Sequence, residues 1–292
     1  MSYKTITADP SGITGNTEFD VFIPEVWSSA VEGFLRSKLM FREMVTDYSS
    51  FVANGGDKIN VPSLSEVGVQ AKTENAAIQY DSTTETSVQI AIDKHKYASK
   101  MFEDISLIQK NGDLVAQYAS IMGYALAKQI DTDLVASLSD GSTGLNLTGI
   151  TTGDDNTLTD ANIESILATL GEADVDYRDG NVWMVVNPTI YADLLHNDKF
   201  VRYDSLGQSN VSSGQLGSIF GMKVAMSNIV ASGNTGNAGM VFDSSACGFA
   251  MQKEIGAESQ RDIDYLADKV VFSCLYGSKV IHRGRGLLIT ND

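Results

Sequence analysis

Ser87-Val88-Gln89-Ile90-Ala91-Ile92-Asp93-Lys94-His95-Lys96-Tyr97 is the stretch from which the fold is read. Val88, Ile90 and Ile92 alternate with Gln89, Ala91 and Asp93, and a period of two puts one set on each face of a half-buried strand. Upstream, Lys58-Ile59-Asn60-Val61-Pro62 alternates in the same way after the turn signal Asn54-Gly55-Gly56-Asp57, and Pro62 is expected to end it. Residues 57–62 and 86–97 therefore read as the two arms of a long hairpin. Residues 63–85 between them are polar, rich in Ser, Thr, Gln and Glu. A tip of that length is unusual inside one compact domain, and projection toward a neighbouring molecule explains it.

Working outward, Asn111-Gly112-Asp113 is a break with Asp113 placed as a helix cap. Leu114, Val115, Tyr118, Ile121, Met122, Ala125, Leu126, Ile130, Leu134, Val135 and Leu138 then recur at steps of three and four until Asp140-Gly141. The spacing predicts a helix of about 25 residues, roughly 38 Å at 1.5 Å per residue and about twice the mean length. Its apolar set is wider than a coiled-coil seam, so it should pack on a sheet or on other helices. On the other side, Pro24 suits the first turn of a helix carrying Val26, Trp27, Ala30, Val31, Phe34, Leu35 and Leu39, with Phe41, Met44 and Val45 extending the stripe. Residues 1–23 are Ser-, Thr- and Gly-rich and read as an extended arm.

The second half mixes helix and strand. After a Gly-, Thr- and Asp-rich loop at 139–160, Thr159 or Asp160 caps a helix through Ile163, Ile166, Leu167 and Leu170. Val182-Trp183-Met184-Val185-Val186 is a continuous apolar run, as in a buried central strand. Asn187-Pro188 ends it, and Thr189 opens a helix through Ile190, Leu194 and Leu195. A Ser- and Gly-rich loop at 204–218 precedes strands at 223–227, 240–243, 249–252, 269–276 and 279–289. The order of elements predicts an α+β fold without internal repeats.

The 292 residues are 43% hydrophobic and 20% charged, enough for a sizeable core and too apolar for a disordered chain. A net charge of −16 argues against nucleic-acid grip and anionic membrane surfaces, both of which need Lys and Arg clusters. The N-terminus has no apolar h-region and no run of 18 apolar residues exists, so neither a signal peptide nor a membrane span is expected. Asn146-Leu147-Thr148 and Asn210-Val211-Ser212 then read as chance sequons. Cys247 and Cys274, outside any Cys-x-x-Cys motif, read as buried thiols.

No catalytic, cofactor-binding or metal site emerges. His95, His196 and His282 lack ligand spacing. There is no Gly-x-Ser-x-Gly elbow or phosphate-binding loop, and Gly233-x-x-Gly236-x-x-Gly239 lacks the strand-then-helix context of a dinucleotide fingerprint. Asp154-Asp155, and Asp174 with Asp176, read as solvated acidic loops rather than a Ca²⁺ site. Arg283-Gly284-Arg285, the one basic cluster, is expected to pair with carboxylates.

The order of these elements resembles the major capsid proteins of tailed bacteriophages, with the Hong Kong 97-type fold. The resemblance is carried by Gly56-Asp57-Lys58-Ile59-Asn60-Val61-Pro62, the Ser87–Tyr97 stretch, Phe102-Glu103-Asp104, Ala125-Leu126-Ala127-Lys128-Gln129-Ile130-Asp131, Val185-Val186-Asn187-Pro188, and Gly221-Met222-Lys223-Val224 before Ser227-Asn228. It implies an N-terminal arm at 1–23, a discontinuous peripheral domain at 24–53, 98–147 and 262–292 with the long helix as its spine, an extension loop at 54–97 and an axial domain at 148–261. It implies hexamers and pentamers of this one chain, forming an icosahedral virion shell around double-stranded DNA and assembled in the host cytoplasm. It also implies a separate scaffolding protein, a portal protein and a decoration protein as partners. Some members of that family cross-link neighbours through a loop lysine; Lys58 and Lys72 lie on or near the hairpin and read as solvated. The alternative is the shell of an encapsulin-like bacterial compartment, which shares the fold.

Overall fold

A computed structural model describes residues 40–53, 55–63, single positions between 69 and 80, 86–103, 114–152, 158–196, 217–230 and 237–290. The N-terminal arm, the helix expected from Pro24, most of the hairpin tip, the Asp113 cap, Asp154-Asp155 and most of the 204–218 loop lie outside the described residues.

The long helix is α3, Leu114–Ser139, 26 residues ending at Asp140-Gly141 as its spacing predicts. Among the described residues two short helices precede it, α1 (Phe41–Met44) and α2 (Ser49–Val52). Later come α4 (Asp160–Glu172) and α5 (Pro188–His196). Thr159 caps α4, its hydroxyl accepting from the Asn162 amide at 3.4 Å. The cap of α5 is Asn187 rather than Thr189: its side-chain oxygen accepts from the Ile190 amide at 2.8 Å. Pro188 then occupies the first helical position, where its missing N–H costs nothing.

Among the described residues three sheets organise the strands. The first has the order β1-β10-β11-β4, with β1 Thr46–Asp47, β10 Cys247–Asp262, β11 Ala267–Val280 and β4 Lys94–Glu103. The second has the order β5-β12-β9-β6-β8-β7, with β5 Leu147–Thr151, β12 Gly286–Thr290, β9 Asn237–Asp243, β6 Val182–Val186, β8 Met222–Met226 and β7 Ser218–Ile219. The third is the two-stranded ladder of β2, Lys58–Ser63, and β3, Thr86–Ala91.

The predicted hairpin exists, in the register Lys58↔Ala91 through Ser63↔Thr86, but its second arm stops at Ala91. Lys94–Glu103 crosses to the first sheet and pairs antiparallel with all of Ala267–Tyr276. The alternation runs unbroken through Ile90, Ile92, Lys94 and Lys96, so no change of period marks the crossing. Pro62 does not end its strand; it stands opposite Ser87. A two-stranded ladder has an open side on which a missing N–H is tolerated. The strand read at 279–289 is two strands: β11 ends at Val280, a 3₁₀ turn occupies Arg283–Arg285, and β12 enters the other sheet.

Two cores result. On β11 the even positions Val270, Phe272, Cys274 and Tyr276 point to one face, and there they pack with Leu126, Ile130, Leu134 and Leu138 of α3 and with Phe41 and Met44 of α1. The second core is α4 and α5 against the six-stranded sheet, through Ile163, Ile166, Leu170, Ile190, Leu194, Val182 and Met184. Each fully buried Leu, Ile or Phe contributes on the order of 2 kcal/mol of transfer free energy.

The base of the hairpin crosses β11 so closely that only glycine fits. A Cβ on Gly277 would lie 2.1 Å from the Ala91 carbonyl oxygen. Ile92 then packs with Val52 and Ala250 in a small separate cluster, and its amide donates to the Asp57 carbonyl at 2.9 Å. The ladder is thereby fixed to the body at its root.

Candidate assembly surfaces

The residues considered for chemistry do not converge. Among the described residues no group of three His, Cys, Asp or Glu side chains is placed to hold a metal ion. His95 is exposed on β4, and His282 precedes the 3₁₀ turn, its pKa lowered by burial and then by Arg285. Asp176 caps the turn Tyr177–Asp179, accepting from the Arg178 amide at 2.9 Å. Cys247 and Cys274 are buried free thiols, pushed up by burial to about 12 and about 11, far from the range of a working nucleophile. Lys58 and Lys72 are both exposed.

The basic cluster divides its contacts. Arg285 lies 3.4 Å from Asp243 and donates to the Ser245 hydroxyl at 2.8 Å, the carboxylate pairing its type suggests. Arg283 instead donates to the Gly144 carbonyl at 2.9 Å. That bond ties the turn between the sheets to the end of α3.

A polar seam joins α3 to the first sheet. The Tyr276 hydroxyl donates to Asp133 at 2.8 Å, and Gln129 donates to the same carboxylate at 2.8 Å. Lys96 and Lys94 stand 3.8 and 4.0 Å from it. Lys94 also donates to Ser278 at 3.0 Å, and Ser278 meets Ser137 at 2.9 Å. Burial lowers the Lys94 pKa, opposed by Asp133, and burial raises that of Tyr276, helped by its bond to Asp133. Removing Asp133 would leave a half-buried ammonium without its counter-ion, at a cost of about 3 kcal/mol for a buried pair. Lys96 is more exposed, and its share is screened. Beyond the lysines, Phe102 meets Tyr118 edge to face at 5.4 Å and Lys100 lies 5.0 Å over the same ring.

Away from that seam, apolar groups stand out from the sheet. The β10–β11 hairpin ends in Ile263-Asp264-Tyr265-Leu266, where Ile263 is 75% exposed, Tyr265 46% and Leu266 61%. Leu266 adopts φ 45°, a left-handed conformation unusual for a branched side chain. Ion pairs brace the strands just behind the tip: Arg261 with Asp268 at 3.1 Å, and Lys269 with Asp262. Three large apolar side chains on a braced four-residue turn stay largely exposed, Ile263 and Leu266 most of all. On a monomer they are a liability; against a neighbour they are an anchor. Tyr97 and Met101 are exposed on the far face of β4, and Ile121 and Tyr124 along α3. In the segment between β2 and β3, Val69, Ile78 and Tyr80 are exposed as well. The 263–266 tip escaped the sequence reading because its three apolar residues show no periodicity. The only signal was their position between two strands.

Known proteins give this arrangement a context. A family model described as phage capsid protein matches residues 86–288. No curated protein sequence matches the chain. Among solved structures, one titled Mycobacterium phage Che8 superposes with a TM-score of 0.71 at 21% identity, covering 98% of each chain. The mature capsid of bacteriophage PhiM1 gives 0.68 at 16% identity, over 100% of this chain and 92% of that one. A virus-like particle from Pyrococcus furiosus gives 0.59 at 13% identity, over 92% of this chain and all of the other. At these identities the likeness establishes the fold.

Proposed function

This chain belongs to the phage capsid protein family, with the Hong Kong 97-type fold, and we propose that its hexamers and pentamers tile an icosahedral head shell around double-stranded DNA. A major capsid protein is a structural component of the virion. The observation that supports tiling is the pairing of two features on one chain. A hairpin rooted at Gly277 and a braced apolar tip at Ile263–Leu266 bury little against their own body. Each contact need only be modest, because every subunit meets several neighbours and the contacts multiply. Closed point symmetry then limits growth.

We assign an arm at 1–23, an extension loop at 54–97, a peripheral domain built on 24–53, 98–147 and 262–292, and an axial domain at 148–261. In the last third of the chain the sheets argue for different crossings. β10 belongs with β11 in the sheet under α3, and β12 with β9 in the other sheet. The exchange points therefore fall beside Ala246 and within the turn at Arg283–Arg285. The net charge of −16 suits a wall that encloses DNA without gripping it. Assembly in the host cytoplasm with a scaffolding protein, a portal and a decoration protein is part of the same reading, as is the absence of catalysis. An encapsulin-like compartment is the weaker reading, since the virus-like particle superposes less well than the phage shells.

The test removes the hairpin tip. Deleting residues 70–80 is expected to leave a folded subunit, by circular dichroism and thermal melting, that no longer closes shells. Normal shells from the deletion would refute the role assigned to the hairpin.

A further inference from the structure

Asp131 stands apart from every contact used so far. It lies on α3 and is only 3% exposed, between the wholly buried Ile130 and the core residues Leu134 and Val135. One oxygen, Oδ2, accepts from the Met40 amide at 3.4 Å, and the Phe41 amide also bonds to this carboxyl. The other, Oδ1, is buried without a hydrogen-bond partner among the described residues. A buried carboxylate oxygen that lacks a donor is costly, because nothing offsets its loss of hydration.

Among the described residues no cation relieves it. On α1, Arg42 is turned to Asp47 at 3.6 Å and lies 5.7 Å from the Phe249 ring, while Glu43 is exposed. On α3, Lys128 is exposed and Asp133 is held in the seam to Tyr276. Among the described residues, only burial and the two amides act on the Asp131 carboxyl.

We propose that Asp131 is a proton-linked latch at the junction of α1 and the spine helix: protonated, it lets α1 seat fully, and ionised, it loosens that seat. The two amide bonds favour the ionised form and burial favours the neutral one. Burial is the larger effect and raises the carboxyl from 3.8 to about 6. The sign follows from linkage. The seated form binds a proton more tightly than the opened form, in which Asp131 returns to its ordinary value. Seating is therefore strongest at acid pH and weakens as pH rises through about 6. Between pH 5 and pH 7.5 the opening equilibrium should change roughly tenfold. A purely static cap for α1 would show no such change. The inference concerns the single subunit, so it survives or fails independently of shell formation.

Hydrogen exchange on the full chain, read by mass spectrometry and corrected for the intrinsic pH dependence of exchange, provides the test. Amides at 40–44 should be about tenfold better protected at pH 5 than at pH 7.5. The α4 amides at 163–170, in the other core, should not change, and Asp131→Asn should flatten the response at 40–44. Equal protection of 40–44 at both pH values in the unmodified chain would overturn the proposal, whether or not the variant folds. So would an equal change in α4, or a response that persists in Asp131→Asn.

Discussion

At the scale of single residues, one side chain and one missing side chain set much of the geometry. Asp133 collects Tyr276, Gln129, Lys94 and Lys96 and so locks the spine helix over β11. Gly277 lets the hairpin cross β11 where any Cβ would meet the Ala91 carbonyl. That oxygen belongs to the backbone, so no side-chain rotation relieves the clash. Gly277→Ala should destabilise the subunit by about 2 kcal/mol in urea unfolding, the usual cost of overpacking, and shift the hairpin root rather than the helical core. An unchanged midpoint would mean that the crossing is looser than described. In the sequence, Gly277 was one of 26 glycines, and nothing local distinguished it. Its requirement comes from a strand almost 190 residues away in the chain, as the Gly277–Ala91 approach shows.

At the scale of elements, what could be read in advance was what depends on local periodicity. The 26-residue α3, the Thr159 cap and the buried β6 were all legible, because each is specified by neighbours three, four or two positions away. The strands that escaped are those whose pairing, rather than pattern, defines them. β5 lay in a stretch read as loop, and the polar half of β10, Lys253–Asp262, has little alternation to display. It is a strand because β11 pairs with it from Cys247↔Val280 to Asp262↔Ala267, through irregularities near Lys253. The apolar tip that this hairpin presents is the element with the clearest prediction. Ile263→Asp combined with Leu266→Asp should leave the melting temperature of the free subunit within a degree or two, since neither side chain is buried. Assembly, followed by light scattering, should weaken by tenfold or more in the critical concentration, the loss expected when an anchoring apolar contact becomes charged. Unimpaired assembly would remove the tip from the interface.

At the scale of the whole molecule, the described residues form two large sheets packed against helices, between which the chain crosses beside Ala246 and within the turn at Arg283–Arg285, and a two-stranded ladder. Its surface carries a net charge of −16, which keeps free subunits apart at a distance, while local apolar anchors operate at contact. Assembly should therefore strengthen with ionic strength, as screening removes the repulsion and leaves the apolar contacts. The most direct measurement is electron microscopy of the expressed chain, alone and together with the proteins encoded beside it. The account predicts closed shells, tubes or ring-shaped capsomers. A chain that stays strictly monomeric under all those conditions would contradict it.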